Sequence, residues 1–382
     1  MNSGVCVTIK DPPYWPADRR RYAERINEKV TGLDFAATAG RGYDTATLQL
    51  AATPDEIDRW LTVGLGREVI VKNAAGSDCW RGIVGAVNGQ VGGKTITVGP
   101  INELGNRVGV SFAYKSDAIP PVSGPQQVTP LIQDAASIDR YGSWEFWHSG
   151  GQLTWTDALR TQRGVLTQKR SPQSTREFST GGGDVSLSLD CVGGWVFASA
   201  YVYLYTASAS SVTLTTHVNT ILDADPNRIL SADRTHVEQN GWLTTRLWDQ
   251  YQTALDILDL HAEKGDANDN PWLWGIFEEW KPYFYPVPNY FSYQNSALSG
   301  DVVETFSPPG GVVDPCDVRP GKWLFFRDFT AWGPIPQTLA QMYEDPRALF
   351  IQEARFAAPW GLTVNGERIG KLRQLVAKQG GK

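Results

Sequence analysis

The sequence predicts a β-rich α+β chain, and three observations predict it. Residues 30–110 run as a strand pair, a short helix and then a meander of strands, the order of a small barrel or sandwich flanked by one helix. The 382 residues include 15 Trp, 14 Tyr and 14 Phe beside 38 Gly and 23 Pro, a pairing of large rings with turn formers that suits short strands packed over broad surfaces. Apolar residues mostly recur with period two, and helical spacing is confined to a few short stretches.

Each element follows from local chemistry. Residues 30–36 alternate apolar with small or polar side chains, Gly40-Arg41-Gly42 breaks the pattern, and residues 46–50 resume it. Thr53 then caps a helix, with Pro54 at its first position and Glu56 three residues on to complete a capping box. Ile57, Trp60 and Leu61 fall on one face of that helix. Strands follow at residues 68–72 and, past a turn at 73–77, at 79–87. After a Gly-rich turn at 88–93, two more are predicted at 95–98 and 107–110.

Pro120, Pro121, Pro125 and Pro130 mark a linker over residues 115–135. A helix is predicted from Thr154, with Asp157 completing its cap and Trp155, Leu159 and Leu166 on one face. Residues 185–189 alternate. Residues 195–205 are apolar on both faces, which predicts a strand buried on both sides or half of an interface between subunits. Trp248, Tyr251, Leu255 and Leu258 define a helix over residues 245–263, ended by Gly265. Strands are expected again at 272–280 and 322–326, and the stretch from Glu353 onward is basic with an end that should fray.

Several functions are disfavoured. A net charge of −6 does not suit a protein that clamps nucleic acid through counterion release. Cys6, Cys79, Cys191 and Cys316 have no metal-ligand spacing and are expected to be reduced. The N-terminus lacks the basic and apolar regions of a secretion signal, and no apolar run reaches membrane-spanning length. Gly92-Gly93-Lys94-Thr95 has Asn88 where a phosphate loop needs Gly, so it reads as a hairpin turn. The run from Asp266 to Asn270 opens like a calcium loop but has Pro271 at the sixth position and Phe277 at the twelfth, so it reads as a helix-ending turn. Adjacent Glu278 and Glu279, on a strand, would face opposite ways and not flank one glycosidic bond. His148, His217, His236 and His261 show no metal or nucleophile motif and read as surface or interface residues. No catalytic, cofactor-binding or metal residue is predicted, and the chain is not expected to be an enzyme.

Three stretches carry a resemblance. Trp80-Arg81-Gly82-Ile83-Val84 is followed by residues 96–99 and Leu104-Gly105-Asn106-Arg107-Val108-Gly109-Val110. Residues 137–145 precede Ala158-Leu159 and Pro172, and Val318-Arg319-Pro320-Gly321-Lys322-Trp323 stands before Asp328. In this order they resemble the phage tail baseplate hub, or tail-tip hub, proteins. The resemblance implies tail-tube-like β-barrels with short flanking helices and smaller attached domains. The division would be a first barrel at 1–114, the linker at 115–135, a middle α+β domain at 136–240, a second barrel-like domain at 241–345 and a C-terminal segment at 346–382. It further implies a structural virion protein without cofactor, a homotrimer joining the six-fold tail tube to the three-fold tip and forming part of the DNA-ejection channel. Partners would be other copies, the tail tube or distal tail protein, the tape measure protein and tip or fibre proteins. DNA would only pass through, without specific binding, and no stable membrane insertion is implied. Alternatives are a hexameric distal tail ring protein and a receptor- or carbohydrate-binding tail protein using Trp272, Trp274 and Trp280 as sugar platforms. Glu278 or Glu279 would be the residues to test in a wall hydrolase.

Overall fold

A computed structural model describes residues 5–15, 17–101, 107–113, 144–147, 163–169, 175–180, 184–199, 212–223, 229–244, 254–268, 270–295, 305–306, 316, 318–326, 334–357 and 361–366. The linker at 115–135, the residues 154–162 that open the helix from Thr154, His148, Asp328 and the basic end beyond 366 lie outside the described residues.

The described strands are β1 (Cys6–Lys10), β2 (Ala23–Arg25), β3 (Val30–Thr38), β4 (Gly42–Leu50), β5 (Glu68–Lys72), β6 (Asp78–Val91), β7 (Lys94–Gly99), β8 (Arg107–Ala113), β9 (Trp144–Trp147), β10 (Arg163–Lys169), β11 (Thr175–Thr180) and β12 (Ser186–Gly193). They continue with β13 (Val212–Thr213), β14 (Leu243–Thr244), β15 (Trp272–Ile276), β16 (Pro282–Pro286), β17 (Phe291–Asn295), β18 (Thr305–Phe306), β19 (Trp323–Phe326), β20 (Ala348–Phe350), β21 (Glu353–Ala357) and β22 (Gly361–Asn365). The α-helices are α1 (Pro54–Val63), α2 (Leu214–Asp223), α3 (Ala254–Lys264) and α4 (Leu339–Glu344).

Local signals fold as read around α1. The Thr53 side chain accepts from the Glu56 backbone N–H at 3.3 Å, and the Thr53 N–H donates to the Glu56 carboxylate at 2.9 Å. Ile57 is buried on β6, where Gly89 has no side chain to block it: a Cβ there would lie 2.5 Å from Ile57. The Thr53 backbone N–H, Lys29 beside it and the Thr53 hydroxyl hold the Glu56 carboxyl down at about 2, from an ordinary 4.5. A depressed carboxylate contributes stability that is present above its unfolded value and lost as pH falls. The cap of α1 is therefore expected to weaken between pH 4.5 and 2, and Glu56→Gln should remove that part of the acid transition in a thermal-unfolding series.

The main sheet has 14 strands, ordered β18-β22-β21-β3-β4-β12-β6-β5-β1-β2. It forks at β6. The first half of that strand pairs with β5 and the second half with β7, which in turn pairs with β11. The result is β-rich and mixed α+β, with a large sheet that curls but stays open. The closed tube barrel that the resemblance implies is not found. Closure would need a ladder between the end strands β18 and β2, and none joins them among the described residues. The sheet also joins segments far apart in sequence: β12 lies between β4 and β6, and β21 pairs with β3.

The apolar run at 195–205 departs from its expected strand. It opens as a 3-10 helix, Gly194–Ser199, with Val196, Phe197 and Ala198 buried, and residues 200–205 lie outside the described residues. Two glycines turn the chain off the sheet. A Cβ at Gly193 would fall 1.7 Å from the Tyr43 carbonyl oxygen, and one at Gly194 2.5 Å from Ile276. Leu166, expected on a helix, lies in β10, which pairs with β8 and β9. The described part of the helix at 245–263 is α3, and Gly265 ends it in the left-handed region at φ 66°.

Buried side chains form three clusters. The first lies on the main sheet under α1 and includes Leu48, Trp80 and Leu189. The second joins the 3-10 helix, α2 and α3 to Trp272, Trp274 and Phe284. The third gathers Trp323, Met342 and Phe350. Each fully buried large side chain contributes roughly 1.5–3 kcal/mol.

The cysteines correct an expectation. Cys79 and Cys316, 237 residues apart, form a disulfide, while Cys6 and Cys191 are free. Spacing did not reveal the pair because the sheet, not the local chain, brings the turn before Val318 over the start of β6.

Candidate functional site

β15 and β16 form an antiparallel hairpin in which Trp274 pairs with Phe284 and Leu273 with Tyr285. Opposed residues share a face, so the period of two sends Trp272, Trp274 and Phe284 toward α3 and Tyr283 and Tyr285 to the other side. The Trp274 indole N–H donates to Asp259 at 2.6 Å. Trp272, Trp274 and Trp280 are 6%, 2% and 7% exposed. They are core residues, which overturns their reading as sugar platforms: a ring packed on both faces has none left for a ligand.

The Tyr283 and Tyr285 side opens on a cleft of about 760 Å³. One wall is β16 with the segment beside it, where Glu238 N–H donates to the Phe284 carbonyl at 2.7 Å and Phe284 N–H to the His236 carbonyl at 2.9 Å. His236 stacks on Tyr283 with ring centres 4.0 Å apart and planes 5° from parallel. The opposite wall is the Val318-to-Trp323 stretch with the start of α4, whose Thr338 and Gln341 form a second capping box. Gly321, at φ 83°, donates its N–H to the Ile351 carbonyl at 2.8 Å. A Cβ at Gly321 would meet the Tyr285 hydroxyl at 2.4 Å. The absent side chain is therefore what lets the motif approach β16.

Strand β15 ends at Ile276, and Glu278–Trp280 is a 3-10 turn that closes the hairpin, with Lys281 N–H donating to the Glu278 carbonyl at 2.9 Å. The two glutamates, expected on one strand, therefore lie on a turn and part company there. Glu279 pairs with Lys281 at 3.0 Å and is largely exposed. Glu278 accepts from the Tyr283 hydroxyl and pairs with Arg319 at 3.2 Å. Burial opposes ionisation of Glu278, yet the Tyr283 hydroxyl and the Arg319 guanidinium outweigh it and hold the carboxyl below its ordinary range. A group held as an anion does not serve as a general acid near neutral pH. Burial and the same hydrogen bond push the Tyr283 hydroxyl up.

The remaining candidates resolve as structural features. Val91 pairs with Lys94 across Gly92 and Gly93, both at positive φ, which makes a two-residue hairpin. Asp266 accepts from the backbone N–H groups of Asn268 and Asn270 at 2.8 and 3.1 Å, a turn that follows α3. His217 and His261 are buried rather than at a surface, with ring centres 6.0 Å apart on α2 and α3, and burial pushes the His217 imidazole down. Among the described residues no group of three or more His, Cys, Asp or Glu is placed to hold a metal ion. Among them, too, no helix is long and apolar enough to cross a membrane.

A second surface lies at the end of the β6–β7 hairpin. Gly89 faces Ile96, and Ile96 faces Phe178 of β11, so both rows lie on the α1 side of the sheet. Val91 shares that face, and Val185 directly precedes Ser186, the partner of Gln90. These four side chains are 36%, 37%, 63% and 46% exposed in the order Val91, Ile96, Phe178, Val185, and β11 has no second neighbour among the described residues. Sequence alternation placed Ile96 in a strand but gave no sign of this strip, because the register with β11 is set by the fold.

The fold and these two surfaces define a β-rich chain organised around an open sheet, with an aromatic cleft and an exposed apolar edge among the described residues. A scan against protein-family models finds no match to the chain, and neither does a search of curated proteins.

Proposed function

We propose that the chain is a structural subunit of a phage tail-tip hub, a homotrimer that joins the six-fold tail tube to the three-fold tip and lines part of the DNA-ejection channel. The observation that carries this reading is the open edge of β11 beside the apolar strip of Val91, Ile96, Phe178 and Val185. An unpaired edge next to exposed apolar side chains favours pairing with another chain. The proposed occupant is a second copy, with β11 of one subunit meeting a different surface of the next, as in closed rings of identical subunits. In this reading the tube-like barrel is completed between chains, each open sheet continuing through β11. The tail tube or distal tail protein, the tape measure protein and tip or fibre proteins are its further neighbours in the virion. DNA passes without specific binding, which the net charge of −6 favours.

The sequence resemblance supports the same reading through two described stretches. Trp80 and Arg81 stand in the half of β6 that pairs with β5, and Val318 to Trp323 forms the glycine turn over Tyr285.

Light-scattering mass and negative-stain images of the purified chain test the proposal. A three-fold ring with a central hole is expected. Phe178→Asp, at an exposed position, should return a folded monomer whose thermal transition no longer depends on protein concentration. A wild-type chain that stays monomeric at high concentration would sink the proposal, and a six-fold ring would replace it with the distal tail ring reading.

A further inference from the structure

The cleft between β16 and the Val318-to-Trp323 turn has no part in assembly through β11. Its volume of about 760 Å³ falls in the range of ligand sites, roughly 300–1,000 Å³. Its aromatic character is specific. Tyr290 is 61% exposed at the cleft. The Tyr285 hydroxyl packs over Gly321, so Tyr285 offers the cleft its ring rather than its oxygen. The charges around it sum close to zero: Arg319 is paired with Glu278, and Lys322 and Glu238 both line the cleft. Glu238 and Gln337 are exposed on opposite walls and bring planar carboxylate and amide groups to the rim.

One exposed aromatic ring, planar hydrogen-bonding groups and no excess charge suit a ligand that is apolar on its ring faces and covered with neutral hydroxyls on its edges. We propose that this cleft binds a neutral oligosaccharide, with Tyr290 as the stacking platform and Glu238 and Gln337 as hydrogen-bonding partners of sugar hydroxyls. An anionic ligand is disfavoured because Arg319 is already neutralised. A proline-rich peptide, which also docks on aromatic grooves, has less use for the carboxylate and amide at the rim.

The test uses the full chain against an array of neutral trisaccharides built of glucose, mannose, galactose or N-acetylglucosamine, followed by calorimetry on any that bind. The expected result is binding of at least one trisaccharide, with no gain for its sulfated form. Tyr290→Ala should weaken it about tenfold without moving the thermal transition, and Glu238→Ala should weaken it with the fold intact. Binding that ignores Tyr290→Ala, no binding to any trisaccharide, or capture of a polyproline decapeptide in place of sugars would each overturn the proposal. Oligomer mass recorded on the same samples keeps this outcome separate from the assembly reading, since no β11 residue lines the cleft.

Discussion

Arg81→Ala is expected to lower folding stability by about 3–5 kcal/mol, the cost of removing one partner from a buried ion pair. Arg81 pairs with Asp78 at 2.9 Å and lies 3.6 Å from Glu68, and the three side chains are 11%, 5% and 9% exposed. Lys72 reaches Asp78 at 3.2 Å and would stay there, so the loss in the variant falls mainly on Glu68, which keeps only the weaker cationic pull of Lys10. Burial already pushes the Glu68 carboxyl up from 4.5, against the pull of Arg81. A carboxyl raised in the folded state loses stability as pH rises through its folded value, because ionisation then costs more folded than unfolded. The deficit of Arg81→Ala should therefore be large at pH 7 and shrink toward pH 4. Urea unfolding at the two pH values measures it, and an equal deficit at both would show that Arg81 acts by packing against Trp280, 5.7 Å from its ring centre, rather than by charge.

The second large effect is expected at the disulfide. Cys79 sits at the start of β6, and Cys316 precedes the turn that carries Arg319 and Gly321. Closing a loop of this length removes much denatured-state freedom, and loss of such a bond costs about 2–4 kcal/mol. Cys316→Ser should lower stability by that amount, as should dithiothreitol acting on the wild-type chain. Dithiothreitol should do nothing further to the variant. An additional drop there would point to Cys6 or Cys191 instead. The Arg319–Glu278 pair offers a local readout, since loosening the turn should let the Glu278 carboxyl titrate closer to its ordinary range.

What the sequence made legible is local. The capping box at Thr53 and Glu56, the strand at Glu68–Lys72, the two-glycine hairpin and the stop at Gly265 each depend on residues within a few positions of one another. What it hid depends on contacts between distant residues. Alternation at residues 272–280 marked a strand that the structure keeps only over Trp272–Ile276, and whether Trp274 faces solvent or core depends on α3 lying behind it. The pair Glu278-Glu279 reads as part of the strand, because nothing local shows that Lys281 closes back on Glu278. The run from Trp195 reads as a strand because its composition is apolar throughout, whereas glycines at 193 and 194 turn it against Tyr43 and Ile276. Of the cleft, Arg319, Gly321 and Lys322 were visible as a motif, but nothing in the sequence placed them opposite His236, Tyr283 and Tyr285.

The place of β21 in the main sheet bears on how the chain is made. Strand β3 takes β21 as its neighbour, with Phe35 opposite Phe356. Some three hundred residues must therefore leave the ribosome before β3 is covered, which at ordinary synthesis rates is on the order of tens of seconds. Until then the β3–β4 ribbon presents an unpaired, partly apolar edge to the cell. A protein built this way is prone to premature association on the ribosome, and its yield in any host should respond to chaperone supply more steeply than its final stability suggests.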